Sequence, residues 1–104
     1  MASMYVPSTP TFSFTLPIET NTLSCAYVTV SQLKAQVLQV KLTEFPAEGN
    51  VLTVTLDQEQ TQRFPSGTLQ IQLSVLTKDG KRLNGRIFEV ETEQCLCTEV
   101  ITLG

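Results

Sequence analysis

Strict alternation within Gly67–Thr77 constrains this chain more than any other feature. Leu69, Ile71, Leu73 and Val75 occupy every second position, and the residues between them are polar. A period of two is typical of a strand with one face buried and the other exposed to water. The segment therefore predicts a long strand on which the rest of the fold is built.

A hairpin is predicted directly after this strand. Asp79-Gly80 lies between two apolar runs, and this dipeptide favours a tight turn because glycine readily takes a positive φ. Counting back from a two-residue turn gives two apolar pairs, Ile71 with Phe88 and Leu69 with Val90.

The same count has an unfavourable consequence, because it places Arg86 opposite Leu73 and would bury a charge. Gly85 lies where a bulge of one residue would reset the register. Glycine in a strand often marks a bulge, so we expect one here.

Other short segments show strand patterns. They cover residues 11–16, 25–33, 34–43, 51–56 and 87–91, and residues 93–104 form a tail with some strand character. The segment 34–43 would also tolerate a helix, but its alternating leucines and valine favour a strand. Asp57 is a good N-cap and Gln60 a capping-box partner, so one helical turn is expected before Pro65.

Six or seven short strands with one helical turn before the penultimate strand predict an all-β fold. We expect an antiparallel, immunoglobulin-like β-sandwich with Greek-key connections, and a partly closed small barrel is the alternative. Residues 11–104 form the single domain, and residues 1–10 form an N-terminal arm because Pro7 and Pro10 block regular pairing. The predicted core consists of Phe12, Phe14, Leu52, Val54, Leu69, Ile71, Leu73, Val75, Phe88 and Val90.

Composition argues against several classes of partner. The net charge of −3 and a pI of about 4.8 disfavour nucleic acid. The absence of Trp leaves few platforms for stacked bases. No apolar run approaches the roughly 20 residues that span a bilayer, and no secretion signal is apparent. We therefore expect neither a nucleic acid nor a membrane as a partner.

The chain contains no histidine, so the usual general base is missing. Glu89, Glu91 and Glu93 share one strand face, and carboxylates could act alone. A solvated outer face that discourages edge pairing explains them better. We predict no catalytic residue, no cofactor and no enzymatic activity.

Three cysteines offer fewer ligands than a zinc site needs. Cys95 and Cys97 are one strand period apart and are expected to point to the same side. A bond from Cys25 to either one is geometrically open, but the odd count and the lack of a secretion signal favour reduced thiols. Thiol titration of the denatured protein is expected to find all three thiols, and metal analysis no bound metal.

Charge is distributed unevenly along the hairpin. Basic residues are expected at its tip and acidic residues on the return strand: Lys78, Lys81, Arg82 and Arg86, then Glu89, Glu91 and Glu93. The simpler interpretation is solubility. The alternative is that the return strand is an edge, and that its acidic face contacts the basic tip of a copy or neighbour. Burial near Leu96, Val100 and Ile101 would then supply most of the binding energy.

Four segments together resemble a known family. They are Thr11–Pro17, Leu56–Phe64, Gly67–Gly80 and the closing Val100-Ile101. In order and spacing they resemble small proteins encoded in tailed phages and prophages of Gram-positive bacteria, over roughly residues 11–101. The resemblance implies a virion structural protein, such as a tail or baseplate accessory, and implies no catalytic residues.

Its partners would be other virion proteins and possibly itself, and it would reside in the virion and, during assembly, in the host cytoplasm. A second hypothesis is a free-standing immunoglobulin-like binding module for a host protein or carbohydrate. Aromatic platforms for a sugar are few, since Tyr5 and Tyr27 are the only tyrosines and Trp is absent.

Overall fold

The chain pairs into two sheets of unequal size in the computed structural model, which describes residues 2–45, 47–97 and 99–102. The strands are β1 (Ala2–Val6), β2 (Thr11–Thr15), β3 (Leu23–Gln32), β4 (Ala35–Leu42), β5 (Val51–Thr55), β6 (Gly67–Thr77), β7 (Arg82–Asn84) and β8 (Phe88–Gln94). The helical turn α1 spans Gln58–Thr61, and a 3-10 turn spans Thr20–Thr22. Five residues of the predicted arm, turn and tail lie outside the described residues: Met1, Pro46, Thr98, Leu103 and Gly104.

The large sheet has the strand order β1-β8-β6-β3-β4, and the short β7 pairs with β6 where β8 has not yet begun. The small sheet consists of β2 and β5. The described strand pairs are antiparallel, with the exception of β1 and β8, which run parallel. Two sheets around one core confirm the prediction of an immunoglobulin-like β-sandwich.

The core lies between the inner faces of the two sheets. Seven of the ten predicted core residues are buried, and Ile71 and Leu69 have no exposed surface. Phe12, Phe14 and Phe88 are only half-buried. Their rings pack together, with both β2 phenylalanines 5.9 Å from Phe88 between ring centroids.

The predicted pairing of β6 with β8 is confirmed, whereas the predicted two-residue turn is wrong. The loop between β6 and β7 has three residues, because the N–H of Thr77 donates to the carbonyl of Lys81 at 2.8 Å. Gly80 takes a φ of +88°, as such a loop requires of its last residue.

The longer loop moves β7 by one position, so that Val75 pairs with Leu83. The register shifts back at Gly85, whose N–H donates to the carbonyl of Leu73 at 2.8 Å. Ile71 then pairs with Phe88 as predicted. Gly85 therefore resets the register as expected, and Arg86 is exposed rather than buried.

The predicted capping box is confirmed at the corner between the sheets. Asp57 Oδ1 accepts from the N–H of Gln60 at 2.7 Å, and Gln60 Oε1 accepts from the N–H of Asp57 at 2.9 Å. Thr61 then connects α1 to the β1–β2 link, because its Oγ1 donates to the carbonyl of Ser8 at 2.7 Å. The helical turn is therefore held at both of its ends.

Two sequence predictions need correction. The predicted arm over residues 1–10 misses a strand, since β1 pairs with β8 from Ala2–Val90 to Val6–Gln94. Pro7 ends this strand rather than preventing it, because proline lacks only its own N–H and the residues before it keep theirs. The predicted strands 25–33 and 34–43 are separated by a two-residue turn at Leu33 and Lys34, and both of these take positive φ angles, 50° and 69°.

Candidate interaction surfaces

The four basic residues of the predicted tip do not form one surface. Lys78 and Lys81 are exposed at the tip, where they line a depression together with Ile18 and Glu19. Lys81 lies near the carboxylate of Asp79, whose pKa is lowered first by a hydrogen bond from the Thr77 hydroxyl and also by the Lys81 charge. The tip therefore carries both signs of charge.

Arg82 lies on the outer face of the large sheet, away from the core. Its Nε donates to Oδ1 of Asn84 at 3.2 Å. It lines a groove of about 350 Å³ with Tyr27 and Gln39, whose Nε2 donates to the hydroxyl of Thr29 at 3.3 Å. Two of the polar groups in this groove are thus already oriented.

Arg86 lies on the other side of the sandwich. The N–H of the neighbouring Gly85 donates to the carbonyl of Leu73, which is four residues from Thr77. Arg86 therefore lies roughly 13 Å along β6 from the tip. Arg86 lines a cleft beside β2, not the depression at the tip. The predicted basic cluster is therefore divided among three separate surfaces.

The three glutamates of β8 share the outer face, as predicted, because they alternate with buried Val90 and Thr92. Glu89 and Glu93 are exposed, and half-buried Glu91 accepts a hydrogen bond from the Thr68 hydroxyl. The predicted edge is wrong, however, because β1 covers this side of β8. A partner that approaches these glutamates meets side chains and not a free backbone.

The C-terminal tail contributes apolar surface. Leu96 is fully exposed and Ile101 is 67% exposed, while Val100 is half-buried. Two hydrogen bonds hold the tail on α1: Gln58 Nε2 donates to the carbonyl of Ile101 at 2.9 Å, and Gln58 Oε1 accepts from its N–H at 2.8 Å. The apolar side chains that were expected to supply the binding energy for a contact with a copy or neighbour therefore lie mostly in solvent.

The cysteines lie in different surroundings. Cys25 is half-buried on the outer face of the large sheet, in the groove with Arg82. Cys95 and Cys97 follow the end of β8 and differ in exposure, since the first is half-buried and the second exposed. The expectation that they point to the same side assumed a strand that the described residues do not continue. The prediction of three reduced thiols stays a prediction.

The open edge of the small sheet is a feature that the sequence analysis did not identify. Beside β2 lies a cleft of about 420 Å³, which we call the β2 cleft. Its lining includes Phe14, Leu16, Leu73, Phe88 and Arg86. The uncharged run from Thr11 to Leu16 was a signal for it, but the sequence does not reveal that the small sheet has only two described strands.

Within the described ranges, no three His, Cys, Asp or Glu residues are grouped so as to hold a metal ion. No helix in those ranges is long and apolar enough to cross a membrane.

The two-layered topology defines the class of the protein as an immunoglobulin-like β-sandwich, and a comparison with solved structures supports this class. The fibronectin(III)-like modules of Clostridium thermocellum CbhA match with a TM-score of 0.52 and 14% sequence identity, over 98% of this chain and 89% of that chain. At this identity the likeness shows the fold alone. No protein-family model and no curated protein matches the chain.

Proposed function

We propose that this protein is a non-enzymatic structural component of a phage or prophage virion, a tail or baseplate accessory that acts through protein–protein contacts. The chain has no histidine and no described group of metal ligands. Its surfaces instead offer an open sheet edge, exposed apolar side chains and separate charged regions. These are features of a protein that works by contact.

The observation that carries the proposal is where the phage-like segments lie in the fold. Thr11–Pro17 contains β2, Leu56–Phe64 contains the capped turn α1, and Gly67–Gly80 contains the long strand β6 and its turn. The resemblance therefore covers elements that build both sheets and the corner between them. A resemblance spread over these elements supports the proposal more strongly than a match in one local segment would.

Purified particles provide the test. Virions from a phage stock or an induced lysogen that carries the gene are banded on a density gradient, washed in high salt and analysed by peptide mass spectrometry. We expect peptides of this chain to band with the particles in a fixed ratio to a major tail protein. A phage-encoded replication protein serves as the control for trapped soluble material. Recovery of this chain only with that control would contradict the proposal.

The groove beside Arg82 favours a second candidate, a binding module for carbohydrate. Tyr27 supplies an aromatic ring, and Gln39 and Arg82 supply amide and guanidinium groups that could bond sugar hydroxyls. The size of the groove, about 350 Å³, is at the lower end of the range for small-ligand sites. Glycan-array binding that is lost in Tyr27→Ala would favour this candidate over the first.

A further inference from the structure

We propose that the free edge of β2 is a docking site at which a partner protein adds an extended strand with a carboxylate next to Arg86. The inference rests on the proposed contact function and names the surface that this function uses. It goes beyond the predicted contact between a basic tip and an acidic strand, because the main interaction is backbone pairing rather than an ion pair.

The backbone of β2 has one bonded side and one open side. Two hydrogen bonds frame its pairing with β5: Leu56 N–H donates to the Pro10 carbonyl at 3.0 Å, and Leu16 N–H donates to the Asn50 carbonyl at 2.7 Å. Bonded and non-bonded pairs alternate in an antiparallel ladder. The even-numbered residues of β2 therefore bond to β5, and the odd-numbered residues direct N–H and C=O to the open side. Those residues are Thr11, Ser13 and Thr15.

The β2 cleft gives an added strand a place for its inward side chains. Phe14 and Phe88 are half-buried although their rings pack against each other. The described part of β1 begins at Ala2, opposite Val90, so Phe88 lies two positions beyond it. A strand on the β2 edge would cover these rings, and the burial of its own apolar side chains there would favour binding.

The residues of the β2 edge do nothing to prevent such pairing. Proteins protect free edges with charged side chains, proline or bulges. Thr11–Leu16 contains no charge and no proline, and its pairing with β5 has no bulge. The free edge of β4, by comparison, includes Lys41 and pairs with β3 through a bulge. The free edges of β1 and β5 are also uncharged, and β2 differs from them by the adjoining cleft and its cation.

The charge of the cleft specifies the partner. Among the described residues that line the β2 cleft, Arg86 alone is charged, and it is exposed. The protein as a whole has a net charge of −3, so a general electrostatic attraction would favour a basic partner. Local complementarity at Arg86 favours an acidic one. The partner strand that fits therefore has apolar residues at alternate positions and a carboxylate at one end.

The test uses two capped heptapeptides with the same alternating valine and threonine core, one with glutamate and one with lysine at both ends. Each is titrated into the ¹⁵N-labelled full chain, and amide shifts and hydrogen exchange are followed. We expect the glutamate peptide to shift and protect the Ser13 and Thr15 amides, and to bind about fivefold more tightly than the lysine peptide.

Charge reversal supplies the matched control. Arg86→Glu is expected to reverse the preference between the two peptides, whereas Arg82→Glu, the same change on the outer face, is expected to leave it intact. Both side chains are exposed, so both variants should keep the wild-type melting temperature.

Several outcomes would overturn the proposal. They are no shift at Ser13 and Thr15 with either peptide at millimolar concentration, protection confined to β1, β4 or β5, or pairing of β2 with a second copy of the chain. This titration needs no particle. A chain that is absent from virions but binds the peptide would refute the proposed function alone, and a chain present in virions that ignores the peptide would refute only the docking site.

Discussion

Truncation of Ile71 tests whether the long strand β6 anchors the core. Ile71 is fully buried, and it pairs with Val30 on one side and Phe88 on the other. Alanine removes three carbon atoms, each worth about 0.8 kcal/mol of transfer free energy, and leaves a cavity that adds to this cost. We therefore expect Ile71→Ala to lower the free energy of unfolding by about 3–4 kcal/mol.

Urea denaturation followed by far-UV circular dichroism measures the loss. With an m-value of about 1.5 kcal/mol/M, a loss of 3 kcal/mol lowers the midpoint by about 2 M. Ile87→Ala is the matched control, because it is the same substitution in the same hairpin at a side chain that is 58% exposed. It should cost less than about 0.5 kcal/mol. Equal losses in the two variants, or a loss below about 0.5 kcal/mol for Ile71→Ala, would refute the assignment of the inward face.

Three further predictions concern turns and caps. The double change Leu33→Asn with Lys34→Gly should raise the urea midpoint and stabilise the fold by about 1 kcal/mol, because both positions have positive φ; a lower midpoint would contradict this. Asp57→Ala should cost about 1 kcal/mol in the same assay, and Asp57→Asn much less, since it keeps an acceptor for the cap. Thr77→Val should raise the pKa of Asp79 in an NMR titration, because the hydroxyl bond lowers it. Ionised Asp79 stabilises the fold above its unfolded pKa, and this contribution is lost as the pH falls below about 4 through the lower folded pKa. An unchanged pKa of Asp79 in the variant would be inconsistent with the hydrogen bond.

Local patterns predicted the long strand, the capped turn and the pairing of β6 with β8. Each depends on signals a few residues apart: alternation in Gly67–Thr77, the Asp57–Gln60 box and the glycine at 85. The extra loop residue, which was not predicted, and the bulge at Gly85, which was, offset each other in the residue count. The predicted pair Ile71 and Phe88 was therefore correct although the turn was not.

Features that depend on tertiary contacts were missed. Leu33 and Lys34 carry no turn signal, because asparagine and glycine are the residues that favour two positive φ angles. The strand β1 stands before a proline and is stabilised by pairing with β8, which is distant in sequence. That pairing also removes the edge on which the acidic contact hypothesis depended. Only the sheet order shows that β2, not β8, has a free side.

Charge spacing along a strand was also a poor guide to shared surfaces. Arg82 and Arg86 are four residues apart, yet they line a groove and a cleft on different sides of the sandwich. The bulge at Gly85 lies between them and changes the direction in which the chain presents its side chains. A sequence count that treats the hairpin as regular cannot reproduce this division.

Cryo-electron microscopy of purified particles locates the chain and its contacts together, and so tests the proposed virion role and the β2 docking site in one measurement. We expect density for the sandwich in the tail or baseplate, with a strand from another virion protein paired to β2 and a carboxylate beside Arg86. Particles without this sandwich, or with β2 facing solvent in every copy, would contradict it.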